Sequence, residues 1–421
     1  MQKKQLCERI LIKEQSLFPA AAPFGTFYCG DTISLIPQLL KNHSESVQLL
    51  YIDPPFFTGH DFKVASHFGS KGFKGDRDFI ADVPLYSDKW NSIEEYINFI
   101  RIALEGAKEL LSPTGVICVH IDWRTSAHIR LLLDSVFGQE NFINELIWHY
   151  RSGGGNKKAF ARKHDTLFLY GKTKDYRINP LAIGEIRGQA QRNHMKKQID
   201  EDGRVFFSIM SAGKEYRYYE DEIIPFDDVW ELPHLQQKHP ERTGYDTQKP
   251  LELLDRLVLT CSQEGELVAD LFSGSGTTLV SACKNNRNYL GCDSAILSLQ
   301  TARARLLEQP NTDLTIYHTR PVNDNTNISL NTASRNGQIH IMLNGYSFLQ
   351  PTYPIPHYED GREYITYWAA GSLENDCFTV EDFAQRSAAH PILKDTLKVA
   401  NGENIAVYFA DALGNHRIIK L

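Results

Sequence analysis

The sequence has few of the features that mark a secreted, membrane or metal-binding protein. Its seven cysteines include no Cys-x-x-Cys pair, so neither a zinc site nor a disulfide framework is predicted. No apolar run reaches 18 residues, and Lys13 and Glu14 interrupt the short apolar stretch near the N-terminus. We therefore expect a cytoplasmic protein that has no membrane span, no signal peptide and no metal.

Acidic residues outnumber basic ones overall, but the positive charge is unevenly distributed. The 421 residues carry a net charge of −7, which by itself argues against a polyanionic partner. The segment 151–217 nevertheless holds 15 Lys and Arg against seven Asp and Glu, a local net charge of +8. This basic block favours contact with a nucleic acid, although a solvated insert would have the same composition.

Strand-like and helix-like segments alternate through the first part of the chain. Buried strands are predicted at 47–53 and 116–122, and amphipathic helices follow each of them or precede the next. Two further strands at 144–150 and 165–172 are predicted to form an antiparallel hairpin at one edge. This order indicates an α/β protein with a doubly wound, mostly parallel sheet.

Changes in composition divide the chain into five regions. Segment 173–240 mixes charged and aromatic residues without clear periodicity, and an Asn/Thr-rich stretch opens the final hundred residues. The predicted regions are an N-terminal extension (1–24), a first α/β half (25–172), an insertion (173–240), a second α/β half (241–320) and a small C-terminal α+β domain of unknown role (321–421).

A glycine turn follows one of the predicted strands. Asp270 ends the strand, Gly274 and Gly276 follow, and a helix then begins, so that free N–H groups face any ligand at the turn. Asp293 ends the next strand 23 residues later, where an acid binds ribose hydroxyls in nucleotide sites. The pattern indicates a nucleoside cofactor but fits neither the NAD fingerprint nor an ATP-binding loop. A tight turn without a ligand remains an alternative.

Another strand ends in Asp53-Pro54-Pro55-Phe56. Proline lacks an N–H donor and has a fixed φ, so the pair ends the strand and holds an extended backbone. A carboxylate, a rigid carbonyl and an aromatic face are thereby brought together at the strand end.

These residues, together with Thr-Gln-Lys-Pro at 247–250, resemble the S-adenosylmethionine-dependent DNA amino-methyltransferases, which act on N6 of adenine or N4 of cytosine. The catalytic motif precedes the cofactor motif, as in the β group, which includes the modification subunits of type III restriction-modification systems. The resemblance covers about 27–308 and implies a Rossmann-like fold. It makes 25–172 the catalytic half, 173–240 the target-recognition insertion and 241–320 the cofactor-binding half.

The resemblance also implies the roles of individual residues. Asp53 and the Pro54 carbonyl would accept the two hydrogens of the target amino group, Pro55 would hold that carbonyl rigid, and Phe56, where Tyr is commonest, would stack on the base. The base must be flipped out of the duplex to reach them. The residues implied for S-adenosylmethionine are Asp31, Thr247, Gln248, Lys249, Asp270, Phe272, Ser273, Gly274, Gly276, Thr277 and Asp293. Among these, Thr247, Gln248 and Lys249 would contact the amino-acid end of the cofactor.

Double-stranded DNA is the expected partner, and the basic block is expected to contact its phosphates. The residues predicted for this contact are Arg151, Lys157, Lys158, Arg162, Lys163, Arg187, Arg192, Lys196 and Lys197. The Gly-, Phe- and Lys-rich segment 56–75 is predicted to be a mobile loop that closes over the flipped base, or else a disordered surface loop. A cognate restriction subunit and a homodimer are further partners left open.

The resemblance implies a site-specific DNA methyltransferase of a restriction-modification or epigenetic system, and Asp at the first motif position favours N6 of adenine as the target. Several functions remain as alternatives. N4-cytosine methylation uses the same chemistry, and a catalytically silent DNA-binding subunit could keep the fold. Methylation of RNA or of protein glutamine usually accompanies Asn-Pro-Pro and the opposite motif order. The chain has no Pro-Cys dipeptide, so methylation of a cytosine ring carbon is not expected.

Overall fold

The structure, a computed structural model, describes residues 6–12, 23–150, 155, 157–187, 195–236, 238–319 and 326–421. The α-helices are α1 (Thr32–His43), α2 (Gly69–Phe73), α3 (Ile93–Leu110), α4 (Ser126–Phe137), α5 (Leu251–Cys261), α6 (Thr277–Lys284) and α7 (Ile296–Leu307). Strands up to the insertion are β1 (Leu6–Ile12), β2 (Phe24–Cys29), β3 (Val47–Ile52), β4 (Asp61–His67), β5 (Ile80–Ser87), β6 (Leu111–Ile121), β7 (Phe142–His149) and β8 (His164–Gly171).

The remaining strands belong to the insertion, the second α/β half and the C-terminal region. Those of the insertion are β9 (Glu185–Ile186), β10 (Lys196–Ile199), β11 (Val205–Ser211), β12 (Lys214–Tyr219), β13 (Ile223–Ile224) and β14 (Val229–Glu231). The second half has β15 (Leu267–Asp270), β16 (Asn288–Asp293) and β17 (Thr312–His318). The C-terminal strands are β18 (Thr326–Arg335), β19 (Gln338–Phe348), β20 (Ile365–Glu374), β21 (Cys377–Gln385), β22 (Thr396–Ala400), β23 (Ile405–Asp411) and β24 (His416–Lys420).

One large sheet organises the molecule. Its order in the described residues is β14-β7-β8-β6-β3-β15-β16-β2-β17-β1-β21-β20-β23-β24, and the strands from β6 to β17 run parallel. Every residue of β3 is buried, as a near-continuous apolar strand in the middle of a parallel sheet requires. The predicted doubly wound, mostly parallel Rossmann-like α/β sheet is confirmed.

Helices cover both faces of the parallel part. On one face α1, α3 and α4 contribute Leu39, Leu104 and Leu133 to an apolar core, and on the other face α5, α6 and α7 contribute a second one. Ser92 caps α3, where its side chain accepts a hydrogen bond from the Glu95 N–H. At one edge β8 pairs antiparallel with both β6 and β7, so the predicted edge hairpin is present.

The C-terminal region differs from the sequence-based expectation. Its described residues form strands and one 3-10 turn (Gly361–Tyr364) but no α-helix, so the predicted α+β domain is corrected to an all-β one. The physical reason is the period-two burial of its strands, since β19 buries Ile341 and Leu343 while alternate residues are more exposed. This region extends the main sheet, because β1 pairs with β17 on one side and with β21 on the other.

The segment predicted as a mobile loop is also different. Strands β4 and β5 pair antiparallel and α2 lies between them, so 56–75 belongs mostly to a folded hairpin. The C-terminal region holds the hairpin, because the Ser70 N–H donates to Oε2 of Glu363 over 2.8 Å and the Tyr358 hydroxyl donates to the Phe68 carbonyl over 2.7 Å. The interpretation as a mobile or disordered loop missed this partner because it lies almost 300 residues away in the chain.

Among the described residues, no helix combines the length and the apolar character that crossing a membrane requires.

Candidate active site

Three acidic residues meet at one edge of the parallel sheet. Asp53 follows β3, Asp270 ends β15 and Asp293 ends β16, and these three strands are neighbours. The carboxyl ends of parallel strands form the usual ligand-binding edge of an open α/β sheet. The edge therefore brings together motifs that lie more than 200 residues apart in the chain.

A cavity of about 230 Å³ lies at this edge. Most of the residues predicted for catalysis and for the cofactor line it, and these are Asp31, Asp53, Pro54, Pro55, Phe56, Thr247, Lys249, Asp270, Phe272, Ser273, Gly274, Thr277 and Asp293. The wall also includes aromatic residues that the motifs did not indicate, among them Tyr51, Phe62, Tyr86, Trp90 and Phe99.

Two predicted cofactor residues lie outside this wall. The Gln248 amide accepts from Thr243, through both its N–H and its hydroxyl, and donates to the Glu241 carbonyl, so it shapes the preceding loop. Gly276 begins α6 at φ +75°, and a Cβ there would lie 2.6 Å from the Cβ of Ala302. This glycine allows α6 to pack closely against α7.

Asp53 and Lys249 form an ion pair inside the cavity. The Lys249 ammonium donates a hydrogen bond to Oδ2 of Asp53, and the two side chains are only 10% and 16% exposed. Oδ1 of Asp53 is buried and has no donor among the described residues. Lys249 also lies over the Phe56 ring, with its Nζ 5.2 Å from the centroid. The carboxylate therefore keeps hydrogen-bonding capacity for an incoming donor.

A buried carboxylate that the motifs did not indicate holds the Asp-Pro-Pro-Phe loop. Asp88 accepts from the backbone N–H groups of Phe56, Phe57 and Thr58 over 3.2, 3.2 and 2.7 Å. It also accepts from the Thr58 hydroxyl and from the Trp90 indole. Phe57 is at φ +60°, which is unfavourable for a bulky residue and is offset by these hydrogen bonds. No sequence motif indicates this role of Asp88, because the residue lies 30 positions after the loop that it holds.

A hydrogen-bonded network lies behind Phe56. The Tyr51 hydroxyl is 2.8 Å from Nδ1 of His120, and Nε2 of His120 is 3.3 Å from Oδ2 of Asp165. Burial alone would raise the pKa of Asp165, but its interactions with His120, Lys249 and Tyr150 together outweigh this effect, and the pKa is lowered. The His120 ring lies 5.8 Å from the Phe56 ring, so the network supports the stacking residue from behind.

The carboxylates of the glycine turn have different surroundings. Burial raises the pKa of Asp270 to about 7, although this carboxylate accepts hydrogen bonds from the Thr278 hydroxyl and the Phe272 N–H. Asp293 accepts from the N–H groups of Gly274 and Ala295, which fixes the turn against the end of β16. Asp31 caps α1 by accepting from the N–H and the hydroxyl of Ser34.

This donor and acceptor set fits a cationic nucleoside. Asp31, Asp270 and Asp293 line a cavity whose wall also includes several aromatic rings, which suits a ligand with a positive centre, a ribose diol and a flat base. By contrast, no group of three His, Cys, Asp or Glu side chains in the described residues is arranged to hold a metal ion.

Comparison with known families agrees with this geometry. Residues 47–302, more than half of the chain, match the profile of the N6_N4_Mtase family, described as DNA methylase. The chain belongs to this DNA methylase family. The resemblance inferred from the three motifs is thereby confirmed, and members of the family use S-adenosylmethionine.

The chain is similar to curated proteins of two kinds. It is 28% identical over 187 residues to the type II methyltransferase M.KpnI of Klebsiella pneumoniae, which covers 44% of this chain and 40% of that protein. It is 25% identical over 348 residues to M.EcaI of Enterobacter cloacae, which covers 71% of each. The type III EcoPI Mod subunit of Escherichia phage P1 is 30% identical over 193 residues, covering 41% and 27%. The match thus spans less than half of two of these relatives.

Ion pairs partly neutralise the basic block of the chain. Arg187 pairs with Glu222 over 2.9 Å and Lys197 with Glu220 over 3.0 Å. Both acids lie just beyond the segment 151–217, so the charge of +8 for that segment overstates the local positive charge.

The other residues predicted to contact DNA lie in different places. Arg162 lies over the half-exposed Trp123 ring, with its guanidinium carbon 3.5 Å from the centroid. Lys157, Lys158 and Lys196 are exposed and Lys163 is half-buried, whereas Arg151 and Arg192 lie outside the described residues.

Proposed function

We propose that this protein is a site-specific DNA methyltransferase that transfers a methyl group from S-adenosylmethionine to the N6 amino group of a flipped-out adenine in double-stranded DNA. The observation that carries the proposal is that Asp53, Pro54 and Phe56 share one cavity with the glycine turn and Asp293. The motif proposed to bind the target amino group and the motif proposed to bind the cofactor therefore line the same cavity. The target base and the cofactor can lie in contact there.

Cofactor binding is assigned to the turn and the neighbouring strand ends. Asp293 and Asp31 are the acceptors proposed for ribose and adenine, and Phe272 and Phe99 supply apolar surface. The backbone of Gly274 allows close approach, because no side chain intervenes there. The bound cofactor supplies an electrophilic methyl group on a sulfonium.

Asp53 and Pro54 are assigned to the target base. The lone pair of an aromatic amino group is delocalised into the ring, so the nitrogen is a poor nucleophile until its hydrogens are drawn toward acceptors. The Asp53 carboxylate and the Pro54 carbonyl accept these hydrogens, and Asp88 fixes the adjoining loop so that they do not reorganise during the reaction. Phe56 stacks on the flipped base and offsets part of the cost of unstacking it.

The relatives suggest a restriction-modification context. M.KpnI and M.EcaI are named type II methyltransferases and the EcoPI protein is a Mod subunit of a type III system. We propose that this chain acts in the cytoplasm as the modification enzyme of such a system. A cognate restriction subunit and a homodimer are the partners to be sought.

Methylation-aware sequencing tests the proposal. The chain is expressed in a host that lacks its own DNA methyltransferases, and the modified base and its sequence context are read directly. We expect N6-methyladenine within one recurring sequence, absent from cells that express Asp53→Ala. N4-methylcytosine in such a sequence would support the alternative target. Unmodified DNA from cells that contain the folded protein would contradict the proposal and favour a silent DNA-binding subunit.

A further inference from the structure

We infer that Lys249 reads the target base by donating a hydrogen bond to the ring nitrogen next to the target amino group. This nitrogen is N1 of adenine, or N3 if the target is cytosine. The inference rests on the proposed function and adds a residue that determines which bases the site accepts. It differs from the role that the sequence suggested for Lys249, which was contact with the amino-acid end of the cofactor.

The position of the ammonium group is the first support. Nζ of Lys249 lies against the Asp53 carboxylate and 5.2 Å from the centroid of the Phe56 ring. A base that stacks on Phe56 and directs its amino group at Asp53 therefore brings its adjacent ring atom toward the same ammonium. An ammonium has three N–H donors. Among the described residues, Nζ of Lys249 donates one hydrogen bond, to Asp53, so donors are left for the base.

The Asp53 carboxylate can serve lysine and base together. A carboxylate offers about four lone-pair positions. Oδ1 is buried without a donor in the described part of the chain, and Oδ2 receives Lys249. The ion pair thus need not break when the amino group arrives, and the buried lysine keeps its counter-charge throughout.

Base chemistry explains why a donor is needed. Asp53 and the Pro54 carbonyl are both acceptors, and acceptors alone would also satisfy the ring N–H of guanine or thymine. Adenine and cytosine present an amino donor beside a ring-nitrogen acceptor, whereas guanine and thymine present a carbonyl acceptor beside a ring N–H. A carboxylate with an adjacent ammonium matches the pattern of adenine and cytosine. Guanine or thymine in the same position would place its carbonyl against the carboxylate and its ring N–H against the ammonium, so neither hydrogen bond could form.

The backbone of Lys249 is fixed well enough for this task. Its carbonyl accepts a hydrogen bond from the Thr277 hydroxyl over 3.3 Å, and Arg305 donates to the same hydroxyl over 2.8 Å. Pro250 follows and caps α5. The lysine is therefore held between α5 and the first turn of α6, and its side chain alone extends into the cavity.

A single-atom change in the substrate tests the inference. Duplexes that contain the modified sequence are made with adenine or with 1-deazaadenine at the target, the latter keeping the amino group but replacing N1 with C–H. If the target proves to be cytosine, 3-deazacytosine takes its place. We expect the wild-type kcat/KM to be about 10- to 100-fold lower on the deaza substrate than on adenine. This ratio corresponds to the free-energy contribution of one hydrogen bond from a charged group.

The comparison between enzymes isolates the lysine. Lys249→Met removes the donor and is expected to methylate both substrates at similar, reduced rates, so that the preference disappears. Lys249→Gln keeps a neutral donor and is expected to retain part of the preference. An equal preference in wild type and Lys249→Met, or none in wild type, would overturn the inference. If Lys249→Met is inactive on both substrates, loss of the preference in Lys249→Gln would also overturn it.

Failure of the proposed function would look different. In that case the wild-type enzyme would methylate neither native adenine nor native cytosine. Binding of S-adenosylmethionine to each variant, measured by calorimetry without DNA, checks that the cavity is intact.

Discussion

The Lys249 ammonium donates a hydrogen bond to the Asp53 carboxylate, although 196 residues separate the two in the chain. Asp53 follows β3 in the first half of the α/β domain, and Lys249 precedes α5 in the second half. The whole insertion 173–240 lies between them in the sequence. Removing one partner of such a poorly exposed pair would leave the other charge uncompensated. The Asp53–Lys249 pair thus forms only when both halves have folded together.

Asp88→Ala is predicted to loosen the Asp-Pro-Pro-Phe loop. The substitution leaves three backbone N–H groups, a hydroxyl and an indole without their shared acceptor. We expect a loss of about 3 kcal/mol in the free energy of unfolding and a fall in kcat that exceeds the change in cofactor affinity. Denaturant unfolding and single-turnover methylation measure the two effects.

Asp82→Ala is the matched control for this substitution. Asp82 lies six residues earlier, on β5, and is exposed. It is expected to leave stability and kcat near wild type. If Asp88→Ala behaved like Asp82→Ala, the hydrogen bonds around Asp88 would not be what holds the loop.

The sequence predicted the strand ends of this site better than their connections. Asp53, Asp270 and Asp293 each follow a clear apolar run, so their meeting at one sheet edge follows from the parallel topology. The role of Asp88 could not be predicted in this way, because it depends on a tertiary contact with a loop 30 residues earlier in the chain. Gln248 shows the converse: it lies within a motif, but its side chain satisfies a neighbouring loop.

The affinity for the cationic cofactor is predicted to rise as pH increases through about 7. Burial raises the pKa of Asp270 to about 7, so the folded apo-protein carries this group protonated below that pH and ionised above it. Only the ionised form attracts a positive ligand, and cofactor binding should in turn lower the pKa of the group. Calorimetric titrations between pH 5.5 and 8.5, chosen to span about one unit and a half on each side of that pKa, measure the dependence.

Asp270→Asn is the control for this pH dependence. The amide keeps the shape of the side chain but cannot ionise, and any titration of the cofactor itself affects both proteins equally. The ratio of wild-type to variant affinity should therefore rise with pH. A ratio that stays constant across the range would mean that Asp270 does not titrate there.

Glu363→Ala is predicted to release the β4–β5 hairpin from the C-terminal region. Glu363 accepts from the Ser70 N–H over 2.8 Å and pairs with Arg386 over 3.3 Å. Because Phe62 and Tyr86 of this hairpin line the cavity, its release should raise the KM for DNA several-fold and speed hydrogen exchange in 61–87. Exchange mass spectrometry and steady-state kinetics measure these changes. Glu359 is exposed, and Glu359→Ala should change neither the KM for DNA nor the hydrogen exchange. Unchanged exchange in Glu363→Ala would show that Glu363 does not hold the hairpin.

The C-terminal region was the least predictable part of the fold. Its short strands gave a β signal, but nothing in the sequence indicated that β1, more than 350 residues earlier, would join it to the main sheet. Pairing between such distant strands depends on backbone hydrogen bonds and a shared core, which leave no local motif.

The central claim is that Asp53 acts on the target amino group while the glycine turn and Asp293 hold the cofactor. It is tested most directly by measuring, in Asp53→Ala and Asp293→Ala side by side, both cofactor binding and methyl transfer to DNA. The account predicts that Asp53→Ala binds S-adenosylmethionine but transfers no methyl group, whereas Asp293→Ala loses about 10- to 100-fold in cofactor affinity, as expected when a charged acceptor is removed. Methylation by Asp53→Ala at a rate near that of wild type would contradict it.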